Sequence, residues 1–147
     1  MKTGYTLTRF SFASILSFGI IVLIGCGTTS VGKLSTPSGR PEVVIPNSNV
    51  QSVMDGVAAW LASQGKPIDA TGVYTISTSF TKPENVLGIS VDHGYSSVFT
   101  IVPNGTNTSI YGTTYDHRNN NELTEQTEYE DMQKELTQIS EFLKTRE

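Results

Sequence analysis

Two histidines carry most of the chemical capacity this 147-residue chain has near neutral pH, and each follows an aspartate: Asp92-His93 and Asp116-His117. Imidazole changes charge close to physiological pH and is a common ligand of transition metals. The spacing invites the two pairs to meet. Asn104-Gly105-Thr106-Asn107 is the strongest hairpin signal in the chain. Counting back from it, in either a two- or a four-residue loop register, sets residues near 93 opposite residues near 117. Two imidazoles and two carboxylates at the open end of a hairpin would form a transition-metal ligand set. Side-chain alternation works against it, because neighbours on a strand point to opposite faces and at most one member of each pair converges unless the chain bends. The expectation is therefore two solvated dipeptides at strand ends, with no metal, no cofactor and no catalytic residue.

Other apparent motifs fail on context. Ser63 and Lys66 have the S-x-x-K spacing of penicillin-recognising enzymes, but they straddle a helix stop, and the Lys-Thr-Gly triplet at residues 2–4 stands far away at the start of the chain. Gly94-Tyr95-Ser96-Ser97-Val98 lacks the second glycine of a nucleophile elbow. No glycine-rich phosphate loop and no dinucleotide fingerprint is present. The aromatic residues Tyr74, Phe80, Tyr95, Phe99, Tyr111 and Tyr115 read as core and sheet surface rather than a sugar platform.

The elements that position these residues follow from periodicity. A β-branched run at residues 42–46 ends at Pro46. Ser48 and Gln51 have capping-box spacing. Val50, Val53, Met54, Val57 and Leu61 recur at helical intervals, widened by Trp60, until Gly65 and Pro67 stop the helix. Residues 68–81 alternate as strand, with Tyr74, Ile76, Thr78 and Phe80 on the more apolar parity and Gly72 as a turn or bulge. Residues 82–85 read as a break, and residues 86–91 as a short strand or a loop. Residues 95–103 and 108–116 flank the hairpin turn. From about residue 122 to 145, Tyr129, Met132, Leu136, Ile139 and Leu143 form an apolar stripe, with acids crowding the start and Lys144 and Arg146 at the end, an order that complements the helix dipole. Barely two heptads are present, so docking on the protein's own sheet is expected rather than a coiled coil. The fold class expected is α+β, in the order β-α-β(3-4)-α, an antiparallel sheet with two helices packed on one face. Residues 42–147 form a single domain.

The chain's only cysteine, Cys26, needs its own explanation. Lys2 and Arg9 open the sequence without an acid, and residues 10–24 run without charge for about 15 residues, the length of a secretory h-region and short of the roughly 20 a spanning helix needs. The closing residues Leu23-Ile24-Gly25-Cys26 resemble the lipobox of bacterial lipoprotein precursors. That resemblance implies a diacylglycerol thioether on Cys26, cleavage after Gly25, and Cys26 as the mature N-terminus. A thiolate is the nucleophile suited to taking the lipid, and its consumption leaves no thiol for a disulfide. Two or more acyl chains anchor stably where one does not. Gly27 is not the Asp that such lipoproteins resemble one another in using for inner-membrane retention, which points to the outer membrane of a two-membrane host.

Cleavage after Gly25 would remove two of the ten bases and none of the fourteen acids, leaving about minus six. Such a chain repels phosphate, so a nucleic acid is not expected as partner. Residues 27–41, rich in Gly, Ser, Thr and Pro, read as a flexible linker. Element order and the Pro-Glu-Val-Val-Ile-Pro opening at residues 41–46 resemble small α+β envelope lipoproteins. Together these features describe a lipid-anchored cell-envelope protein, not an enzyme, whose domain binds or scaffolds an envelope protein partner. The alternative is a small-molecule or lipid carrier with an apolar cavity between helix and sheet.

Overall fold

The structure, a computed structural model, describes residues 31–118 and 121–146, apart from the side chains of residues 84–86. The expected leader and the lipobox-like residues 23–26, Cys26 among them, lie outside the described residues. The fold is α+β: a six-stranded antiparallel sheet carries two helices on one face. In chain order the elements are β1 (Glu42–Ile45), α1 (Val50–Ser63), β2 (Ile68–Thr71), β3 (Thr75–Val86), β4 (Ile89–Asn104), β5 (Asn107–Asp116), β6 (Asn121–Glu122) and α2 (Gln126–Lys144). The sheet order is β1-β5-β4-β3-β2, with the short β6 pairing β5 beside β1.

Helix α1 forms where its stripe predicts. Val53, Met54, Val57, Trp60 and Leu61 are buried and Val50 packs at the margin. The cap lies one residue beyond the expected box: Asn49 is the N-cap, accepting the Ser52 amide at 2.9 Å, while Ser48 donates to the Ile45 carbonyl and Gln51 pairs with Asp55. Both candidate caps have the right chemistry, and Asn49 takes the role because the chain turns at Asn47, whose φ of 47° keeps Ser48 out of the helix approach. At the other end Gly65, with φ 67°, lets the Lys66 amide reach the Leu61 carbonyl and the Gly65 amide reach Ala62, a paired closure that satisfies two end carbonyls.

The strands show one clear departure from expectation. Residues 82–85 do not break the sheet; β3 runs on through Pro83 to Val86, pairs with β4 along its whole length, and turns at Leu87-Gly88. Val86 and Ile89 close that two-residue turn as a hydrogen-bonded pair, so alternation makes Pro83 and Asp92 a non-hydrogen-bonded pair. The amide hydrogen that proline lacks would point to the outer edge of β3, where β2 has already ended and no ladder bond is lost.

Phe99, Ile101, Ile110, Ile76 and Leu61 are fully or almost fully enclosed, and α2 lays Met132, Leu136, Ile139 and Leu143 onto the same core. Gly112 on β5 leaves the gap that Met132 fills, and Gly56 on α1 does the same for Leu143. The C-terminal helix thus docks on its own sheet. It starts at Gln126 rather than near residue 122, because Asn121 and Glu122 are drawn into pairing with β5. It also seals an edge: the Gln133 amide accepts from the Glu42 amide at 2.9 Å and donates to its carbonyl at 3.1 Å, completing the outer side of β1.

Residues 31–41 of the expected flexible linker are seated on the domain. Val31 bridges to Glu125, the Gly32 amide donates to the Thr124 carbonyl, and the Lys33 amide donates to Gln126 Oε1 at 2.8 Å. A side chain at Gly32 would meet the Tyr129 ring at 2.9 Å, so glycine is what permits this close seat. Arg40 then pairs with Glu122 and donates to the Tyr129 hydroxyl. Residues 31–41 are held against the domain at the start of α2.

Candidate functional site

The register decides the histidine question. His117 donates its amide to the Gly94 carbonyl at 2.9 Å, one row beyond the Tyr95–Asp116 pair. The next row sets His93 against Arg118, whose Nη2 lies 3.4 Å from His93 Nε2. Residues 94 and 117 share the helix-free face, and the His117 ring lies over Gly94, 3.3 Å from where a side-chain carbon would stand. His93 is on the helix face, stacked with Tyr95 at 6.4 Å between centroids. The sheet brings the histidines into adjacent rows and sends their rings to opposite sides. Among the described residues no group of three His, Cys, Asp or Glu side chains could hold a metal ion.

Ser63 and Lys66 are committed elsewhere. The Ser63 hydroxyl donates to the Trp60 carbonyl at 2.6 Å, and Lys66 Nζ binds Glu135 Oε1 at 2.7 Å while lying over the Trp60 and Phe80 rings. Gly94, Tyr95 and Ser96 lie within β4 rather than on a strand-to-helix elbow.

Between α2 and the sheet lies a cleft of about 200 Å³, lined by Ser97 and Thr114 below and by Phe80 and Tyr95 on one side. Lys66 with Glu135, and Lys82 with Glu128 at 3.5 Å, tie its rim across from sheet to helix. Asp131, also at the rim, turns to Lys134 at 2.9 Å, and its hydrogen bond and charge hold that exposed ammonium above the usual lysine range. The Phe80 and Tyr95 rings stack on each other at 5.7 Å, so the faces a sugar would use are largely covered. On β3, between β2 and β4, the fully enclosed Thr78 hydroxyl has no hydrogen-bond partner. A groove of about 520 Å³ between the first turn of α1 and the end of α2 is open to solvent, with Ile45, Gly56, Leu143 and Arg146 among its walls.

Leu87, the most exposed large apolar residue among those described, stands elsewhere. β4 pairs with β5 only as far as Tyr95, so beyond that row β3 and β4 continue as a two-stranded arm. Leu87 at its tip is 97% exposed and Ile89 is 67% exposed. Leu87 has φ 52° and Gly88 φ 80°, the left-handed pair that a tight hairpin turn requires. Glycine tolerates that conformation; a leucine pays about 1 kcal/mol for it, and asparagine less. Leu87→Asn should therefore slow amide exchange at Ile89 roughly fivefold. Unchanged or faster exchange would show that the turn carries no such strain. Local propensity and burial both speak against leucine here, and Leu87 stands at the tip with its side chain in solvent. The sequence offered a weak signal for it, an uncharged stretch at residues 85–91 bounded by Glu84 and Asp92.

No protein-family model matches the chain, and no characterised protein matches it in sequence.

Proposed function

We propose that this chain is a lipid-anchored protein of the bacterial cell envelope, modified at Cys26, whose α+β domain works by binding an envelope protein rather than by covalent chemistry. The reading rests on the lipobox-like run Leu23-Ile24-Gly25-Cys26, and the seat of residues 31–33 on the start of α2 bears on how an anchor there would hold the domain. Only four residues, 27–30, separate it from Cys26, so a lipid there would hold the domain against the membrane instead of letting it range on a long tether. Among the described residues no helix is long and apolar enough to cross a membrane. The filled core, with Phe99, Leu136 and Ile139 fully enclosed, favours recognition at the surface over the carrier's internal apolar cavity.

Removal of the sulfur tests the anchor. Cys26→Ser should abolish incorporation of labelled palmitate and let washing release a protein that otherwise needs detergent, because marginal binding becomes stable only with two or more acyl chains. A variant that takes up label and fractionates like the parent would overturn the anchor.

A further inference from the structure

We infer that the β3–β4 arm is a second membrane contact, placing Leu87 and Ile89 in the interfacial layer of the bilayer to which Cys26 is anchored; this rests on the anchor reading above. Two independent features of the molecule meet at one end of it. Val31, the first described residue, pairs with Glu125, the N-cap of α2, and Glu128 in the first turn of that helix reaches Lys82 at the base of the arm. The N-terminal strap and the arm therefore flank the same helix end, and the arm runs from the sheet beyond that end.

Their lengths agree. Five residue steps from Cys26 to Val31 span at most about 18 Å. Five steps of strand from Lys82 to Leu87 rise about 17 Å. A lipid at Cys26 and the tip at Leu87 can thus rest on one plane, with the domain standing on both.

The tip's chemistry suits that plane. Residues 85–91 carry no charge; Glu84 and Asp92 bound them, with Lys82 two residues further back on β3, so these charges stay at headgroup level while the tip enters. Insertion would be shallow: beyond Gly94 the described part of β4 pairs only with β3, so backbone groups on both outer edges need water or headgroups and cannot enter hydrocarbon. Contact at the depth of a headgroup layer, about 5–10 Å, meets both demands. Pro83 and the exposed Lys82 on the outer edge discourage a further strand from pairing there, which favours a lipid occupant over an added β-strand.

The test uses the mature, lipid-bearing protein with a polarity-sensitive nitrobenzoxadiazole dye on Leu87→Cys, the new thiol being the reactive one once Cys26 is acylated. Val73→Cys, 79% exposed in the turn at the opposite end of β3, is the reference. In vesicles of phosphatidylethanolamine and phosphatidylglycerol, the dye at position 87 should shift to the blue and lose about half its emission to brominated acyl chains, while the dye at 73 stays aqueous. The mass of each sample reports the state of Cys26. An aqueous dye at 87 on a protein proven to carry lipid would overturn the arm contact and leave the anchor intact. Equal quenching at 73 and 87 would overturn it also, as would shielding found in native envelope vesicles but not in pure lipid, which would assign the tip to a protein. A bare Cys26 would remove the anchor and the arm contact together.

Discussion

Leu136→Asp lowers the melting temperature by roughly 20 °C or more, or abolishes the cooperative transition, while Thr137→Asp at the next position leaves it within a few degrees. Leu136 has no exposed surface and lies over Gly112 of β5 between Met132 and Ile139. Substitution removes a buried aliphatic group, a loss of about 2–5 kcal/mol, and offers no partner to a carboxyl that must then either ionise in an apolar site or take up a proton. Against a total stability of about 5–15 kcal/mol, that is a large share. Thr137 is exposed on the same helix, so a charge there changes helix propensity and little else. Equal melting temperatures for the two variants would mean that α2 stands free of the sheet.

Gly112→Val has the second-largest effect, a loss of about 2 kcal/mol by overpacking. Valine normally favours a strand, so the sign runs against propensity and reports the packing. A carbon at that position collides with the Sδ and Cγ atoms of Met132, and Leu136 Cδ1 is 3.4 Å away, so Met132 must give up its seat over β5 and turn toward the cleft that it lines. Met132→Ala alone also destabilises. In the double variant valine occupies the volume that methionine leaves, and the combined loss falls short of the sum of the two by at least about 1 kcal/mol. Strict additivity, measured by chemical denaturation, would place the glycine's role in the backbone rather than under the helix.

The long-range part of this arrangement was legible wherever one face of an element is buried. The stripes of α1 and α2 repeat at helical spacing because each meets the sheet along one side, and Ile76 and Thr78 fall on the buried parity of β3 as alternation requires. The Gly105 turn is written in its own residues, since φ of 64° there suits glycine. The Leu87-Gly88 turn is not: leucine is no turn former, and Pro83 imitates a break because the sequence cannot show that its amide side faces an empty edge. The seat of Gly32 under Tyr129 joins residues 97 apart in the chain, and composition sees only a glycine-rich stretch. The histidines meet the same limit in another form. Placing them near each other needed only the turn, whereas their separation onto two faces depends on a one-residue offset in register.

On the proposed anchor and arm contact, the strap and the arm would act together at the membrane. A domain seated in that way would have a fixed standing orientation, with the helix-free face of the sheet turned sideways along the bilayer. Thr100, Tyr111 and Thr113 lie on that face, half-buried among their strand neighbours and without a covering helix. On the proposed function that face would be open to a protein partner.

All of this depends on one sulfur. The mass of the protein purified from its own envelope, with its N-terminal peptide sequenced by fragmentation, tests it most directly: a chain beginning at Cys26 and bearing a diacylglyceryl thioether is the expected product. A chain that retains Met1, or a free thiol on Cys26, would contradict the anchor.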